Sequence, residues 1–125
     1  MMKEVLIVED EISYAKMIKM RLESAGYQVK VAMDAYSGTQ MALKGNPDLI
    51  IMDLGMPAGG GFSFLERVRN IPQKSLIPVI ILTGKVIDDS IRSKAESLNV
   101  SAVYSKPYDV KQFMDTVKRL APLNS

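Results

Sequence analysis

Cysteine, histidine and tryptophan are missing from this 125-residue chain. Without cysteine there is no disulfide scaffold, no thiolate metal site and no cysteine nucleophile. Without histidine the commonest general base and the commonest zinc ligand are gone, and with them every Ser-His-Asp or Cys-His mechanism. Long apolar runs are missing too. The N-terminus offers only Val5-Leu6-Ile7-Val8 before the acids Glu9 and Asp10, far short of the roughly 18 residues of a membrane span and without a signal-peptide core. Strong charge of either sign is also absent: sixteen basic against fourteen acidic residues give +2, which points to neither a nucleic-acid nor a membrane surface. The expected setting is the cytoplasm. What remains for chemistry is carboxylates, hydroxyls, lysine and a bound metal ion.

With 47% hydrophobic and 24% charged residues, the chain reads as one soluble globular domain spanning 1–125, with no linker, repeat or low-complexity tract. Five short apolar runs stand out: Val5–Val8, Val29–Ala32, Leu49–Met52, Ile77–Leu82 and Val100–Tyr104. Three of them are apolar on consecutive residues, as strands covered on both faces are. Between the runs lie helical stripes. Ile12, Ala15, Ile18, Leu22 and Ala25 form the first, closed by Gly26. Ile87, Ile91, Ala95 and Leu98 form another, and Val110, Phe113, Met114, Val117 and Leu120 form the last, with Asp109 as its expected N-cap. Leu65, Val68 and Ile71 predict a short helix after the glycine-rich stretch, while 35–44 has the weakest pattern. Met33, Met41 and Met52 are expected in the core. Strand-helix alternation repeated five times predicts an α/β fold, a doubly wound (βα)5 five-stranded parallel sheet, for which the common flavodoxin-like order 2-1-3-4-5 is taken.

Such sheets bind ligands outside the carboxyl ends of their strands, at the switch in strand order. Glu9 and Asp10 follow the first run, Asp53 the third, Thr83 the fourth, and Ser105 and Lys106 the fifth. Any one of these has an ordinary explanation, Asp10 as a helix cap for instance. Together they form a cluster. Like charges about 4 Å apart repel by roughly 4 kcal/mol at an effective dielectric of 20, so three carboxylates need a cation, the Lys106 ammonium or a raised pKa. An all-oxygen set suits Mg²⁺, and an Asp beside a cation, a lysine and a hydroxyl can take a phosphoryl group as an acyl phosphate.

These residues carry a resemblance. Glu9-Asp10, Asp53-Leu54-Gly55-Met56-Pro57, Gly61, Thr83-Gly84 and Lys106-Pro107-Tyr108 together resemble, over nearly the whole chain, the receiver (CheY-like) domain of two-component response regulators. The resemblance implies that Asp53 accepts a phosphoryl group from phosphohistidine on a sensor histidine kinase or a histidine phosphotransfer protein. It implies Mg²⁺ (or Mn²⁺) on Asp10, Asp53 and the Gly55 carbonyl, with Glu9 acting through a water. It also implies that Lys106 pairs with the carboxylate and then with the phosphoryl group, that Thr83 swings its hydroxyl onto that group, and that the Lys106-Pro107 bond is cis. The chain would be a phosphoacceptor rather than an enzyme acting on a separate substrate. No effector domain, no direct nucleic-acid contact and no membrane contact are expected.

Several positions depart from the family pattern. Glu9 replaces the usual Asp, Ala58-Gly59-Gly60-Gly61 replaces a bulkier stretch and predicts a more flexible loop, and Gly84 stands where alanine is common. The usual aromatic three residues before the lysine is Val103, and the aromatic is Tyr104. Neighbouring strand residues face opposite ways, so only a bulge would return Tyr104 to the usual side. Tyr14 and Met17 lie off the first helical stripe, where the family receives its phosphodonor. Other classes compete. A non-phosphorylated receiver-like interaction domain keeps the fold without the chemistry. A flavodoxin-like cofactor binder would need a phosphate loop where Glu9 and Asp10 stand. A dehalogenase-type phosphatase would need an Asp at Gly55, and no P-loop motif is present.

Overall fold

The computed structural model describes residues 2–56 and 60–123. Five strands, β1 (Glu4–Val8), β2 (Gln28–Ala32), β3 (Leu49–Met52), β4 (Val79–Thr83) and β5 (Ala102–Ser105), alternate with five helices. These are α1 (Ile12–Ser24), α2 (Ala35–Lys44), α3 (Gly60–Arg69), α4 (Asp89–Ser97) and α5 (Val110–Leu120). All strands are parallel, in the order β2-β1-β3-β4-β5, which is the doubly wound arrangement expected from the alternation.

The pleat sorts the apolar runs onto two faces. Leu6, Val8, Ile50, Met52, Val79 and Ile81 pack with Ala42 of α2, Phe64, Leu65 and Val68 of α3, and Ala95 of α4. Their neighbours Val5, Ile7, Leu49, Ile51, Ile80 and Leu82 pack with Ile18 and Leu22 of α1 and Phe113 and Val117 of α5. Each consecutive apolar pair therefore serves both layers, which is why these strands tolerate no polar alternation.

Local signals set the boundaries. α1 ends in a Schellman motif: Gly26, at φ +103°, donates to the Glu23 carbonyl and Tyr27 to that of Leu22. Asp34, Asp88 and Asp109 cap α2, α4 and α5 by accepting from the amides of Ser37, Ile91 and Gln112. At Gly61 a Cβ would meet the Leu54 Cα at 2.8 Å, so only glycine lets α3 approach the turn after β3.

Strands β4 and β5 start later than the hydrophobic runs predict. Pro78 has no N–H to give a ladder, and the Ile77 amide closes the 3₁₀ turn Pro72–Lys74 by donating to the Lys74 carbonyl. Val100 likewise donates to the Ala95 carbonyl and belongs to the end of α4, where Asn99 sits at φ +57°. Ile12, first in its stripe, begins α1 at the sheet edge and is 61% exposed. Met52 is core, Met41 is half-buried, and Met33 instead lines an open groove beside Asp10 and Arg67. Residues 35–44, with the weakest pattern, form α2. The expected loop flexibility falls partly on Ala58 and Gly59, outside the described residues. Among the described residues no helix is long and apolar enough to cross a membrane.

Candidate functional site

Register builds the site. Val8 lies opposite Met52 in the β1–β3 pair, so the next residues, Glu9 and Asp53, emerge side by side at the carboxyl edge where strand order switches. Thr83 lies opposite Ser105, which brings Lys106 to the same edge. Parity then decides which way they face. Glu9, Asp53 and Lys106 each stand two residues beyond Ile7, Ile51 and Tyr104, all of the α1/α5 face, and two steps along a strand preserve the facing.

The three side chains meet there. Lys106 Nζ donates to Glu9 Oε1 at 2.6 Å and to Asp53 Oδ2 at 3.4 Å. The Gly55 amide donates to Asp53 Oδ1 at 3.0 Å, and that of Glu11 to Glu9 Oε2 at 3.2 Å. Glu9 and Asp53 are buried and Asp10 is exposed, and carboxylate oxygens of all three lie within 4.8 Å of one another. The N-cap of α1 is Glu11, whose side chain makes no capping bond, so Asp10 is not the cap that its position permits.

Electrostatics follows from burial. Desolvation, aided by the charge of Asp53, pushes Glu9 above its ordinary 4.5, even against the Lys106 hydrogen bond that favours its charged form. Burial also works against a charged Lys106, yet the Glu9 hydrogen bond and the charges of Glu9 and Asp53 outweigh it and raise that pKa. Three carboxylates face one ammonium. The excess negative charge and the all-oxygen donor set fit a hard divalent cation, Mg²⁺ or Mn²⁺, far better than zinc or copper.

Thr83 is fully buried at the same edge, but on the parity of Ile81. Its hydroxyl accepts from the Lys85 amide at 3.0 Å, and its carbonyl accepts from the Lys106 amide at 2.8 Å. The structure thus brings Glu9, Asp10, Asp53 and Lys106 into one cluster and ties Thr83 to it through backbone. The Lys106-Pro107 bond is cis. The β4–β5 register is continuous, so no bulge turns Tyr104 round. Val103 packs on the α3/α4 side and Tyr104 on the α1/α5 side, where its hydroxyl lies 2.5 Å from that of Thr116.

Sequence reasoning missed one neighbour. The Tyr14 ring lies over Lys106, with Nζ 4.0 Å from its centroid, and meets Tyr108 edge-on with centroids 6.2 Å apart. Tyr108 in turn packs on Phe113 at 4.8 Å. Burial pushes the Tyr14 hydroxyl up to about 12. One helical turn after Asp10, Tyr14 was placeable near the acids, but nothing in the sequence pairs it with a lysine 92 positions later.

Residues 5–118 match the model of the response regulator receiver domain. The chain is 32% identical over 121 residues to the DNA-binding dual master transcriptional regulator RpaA of Synechocystis, covering 95% of this chain and 49% of that protein. It is 30% identical to sporulation initiation phosphotransferase F of Bacillus subtilis over all of this chain and 98% of that one. In structure it superposes on the chemotaxis protein CheY4 of Vibrio cholerae with a TM-score of 0.88, at 30% identity over 96% of this chain and 99% of that one. The chain spans about half the length of most of the curated relatives it matches. Receiver domains are phosphoacceptors that generally bind Mg²⁺ at an acidic pocket and take phosphate from histidine kinases or phosphotransfer proteins. A strand-edge cluster of acids around one lysine, set in this fold and matched over this length, makes the chain a member of the response regulator receiver domain family.

Proposed function

We propose that the chain works in the cytoplasm as a single receiver unit over residues 1–125, accepting a phosphoryl group on Asp53 from phosphohistidine of a sensor histidine kinase or a histidine phosphotransfer protein. The observation that carries this reading is the hydrogen-bonded set of Glu9, Asp53 and Lys106 with Asp10 beside it. An Asp53 carboxylate oxygen forms the new bond to phosphorus as the bond to the donor nitrogen breaks, and the electron pair stays on the donor imidazole. The Gly55 amide holds Oδ1 and Lys106 sits near Oδ2, so the carboxylate is oriented before the donor arrives. Glu9, Asp10, Asp53 and the Gly55 carbonyl would hold Mg²⁺. When bound, the ion supplies positive charge against the carboxylates and the transferred group.

Lys106 then shares its ammonium with a phosphoryl oxygen, and Thr83 exchanges the Lys85 amide for the phosphoryl group, drawing on the loop that leads to α4. Intact-protein mass after treatment with acetyl phosphate and Mg²⁺ tests the reading. One added phosphoryl group is expected in the wild type and none in Asp53→Ala or with chelator present. An unchanged wild-type mass would return the chain to a non-phosphorylated interaction domain.

A further inference from the structure

The phosphoryl-transfer reading needs a lysine ammonium held in place, and hydrogen bonds to two carboxylates do not by themselves hold it. The four-carbon stem of lysine is flexible and its ammonium is strongly hydrated. The Lys106 side chain is nevertheless only 15% exposed. Glu9 and Asp53 account for two sides of the ammonium, at 2.6 and 3.4 Å, and the Tyr14 ring face accounts for a third at 4.0 Å. A ring face carries partial negative charge and attracts a cation without offering it a proton acceptor. The ring is itself braced by Tyr108, which rests on Phe113 of α5.

We propose that Tyr14 is the positioning residue of Lys106: its ring covers the ammonium and keeps it aimed at Asp53 for phosphoryl transfer. This rests on the reading of Asp53 as phosphoacceptor. The role assigned to the ring runs through Lys106, by excluding water and narrowing the orientations of the stem. The tyrosine hydroxyl has no part in it.

Two measurements on the intact chain test this. In NMR spectra the Lys106 Hε resonances are expected upfield of ordinary lysine values in the wild type and in Tyr14→Phe, and at ordinary values in Tyr14→Leu. A wild type with ordinary Hε shifts overturns the proposal without any variant having to fold. The second measurement is the rate of phosphorylation by acetyl phosphate with Mg²⁺, a donor with no protein surface to dock. Tyr14→Leu is expected to slow it by about fivefold, and Tyr14→Phe to restore most of the rate. Equal rates in all three proteins overturn the proposal, and so does an equal loss in Phe and Leu, which would assign the effect to the hydroxyl. If the wild type gains no phosphoryl group, the phosphoacceptor reading fails and the role in transfer with it, while the Hε shifts still report whether the ring holds the lysine.

Discussion

The two faces of the sheet are built from the same strands and do different work. On the α2/α3/α4 face, Leu6, Val8, Ile50, Met52, Val79 and Ile81 meet Phe64, Leu65 and Val68 in a hydrocarbon layer. On the α1/α5 face the layer holds four of the five tyrosines, Tyr14, Tyr27, Tyr104 and Tyr108, with Phe113 among them. The hydroxyls of Tyr27 and Tyr104 reach polar partners, the Ala121 carbonyl and Thr116. That face runs upward into Glu9, Asp53 and Lys106, and amphipathic rings suit a layer apolar at one end and charged at the other. Thr83, two residues beyond Ile81, has the parity of the hydrocarbon face. On the proposed reading a change at Asp53 would reach the α3/α4 side through Thr83, where Val103, opposite Ile81 on β5, stands in place of an aromatic, while Tyr104 is anchored to α5.

The largest test of this division compares Phe64→Ala with Phe113→Ala. Both rings are fully buried, so each change should lower unfolding stability in denaturant by about 3–5 kcal/mol. Only the Phe113 variant removes the support of Tyr108, so at matched folded fraction it alone should move the Lys106 resonances. If both variants move them, the faces are not separate.

A smaller effect is expected from Lys106→Met, which leaves Glu9 buried without its cation. With the site partly open to solvent, the loss should be about 1–3 kcal/mol in the absence of divalent ions, read from denaturation midpoints. The pH dependence has a fixed sign. Because Glu9 is raised above 4.5, mainly by burial, the folded protein binds its proton more tightly than the unfolded chain does. Its contribution to stability therefore falls as pH rises from about 4.5 through the folded value. Lys106→Met should steepen that fall by removing the partner of the charged form, and Glu9→Gln should abolish it. Lys106, also raised, contributes stability that is complete below its ordinary 10.5 and lost as pH climbs through its folded value.

The smallest effect belongs to Tyr104→Phe. Thr116 gives its own proton to the Gln112 carbonyl at 3.1 Å, so Tyr104 is the donor in their pair. Losing that bond should cost about 0.5–1.5 kcal/mol of unfolding stability and leave phosphorylation by acetyl phosphate unchanged. A changed phosphorylation rate would mean that β5 couples to the site through the α5 face after all.

Much of this was legible in the chain itself. Consecutive apolar residues at 5–8, 49–52 and 79–82 announce strands covered on both sides, and the acids, hydroxyl and lysine that follow them mark one edge. The starts of β4 and β5 were not legible, because a proline at 78 and a helix-closing turn at 99–100 displaced ladders that hydropathy alone would have begun two residues earlier. Met33 read as core and lies in a groove because its surroundings, not its own character, set its exposure.

The alternation of strand and helix, the caps at Asp34, Asp88 and Asp109, and the parity that puts Tyr104 opposite Val103 are local properties, determined by residues a few positions apart. Which charges share a contact is not local. Lys106 and Glu9 are 97 positions apart, and only the register of four strands, β1, β3, β4 and β5, brings them to 2.6 Å. The partner of Tyr14 was decided in the same way. Side-chain chemistry travels with the sequence, but a hydrogen bond or a ring over an ammonium exists only once the sheet has fixed both ends within a few ångströms.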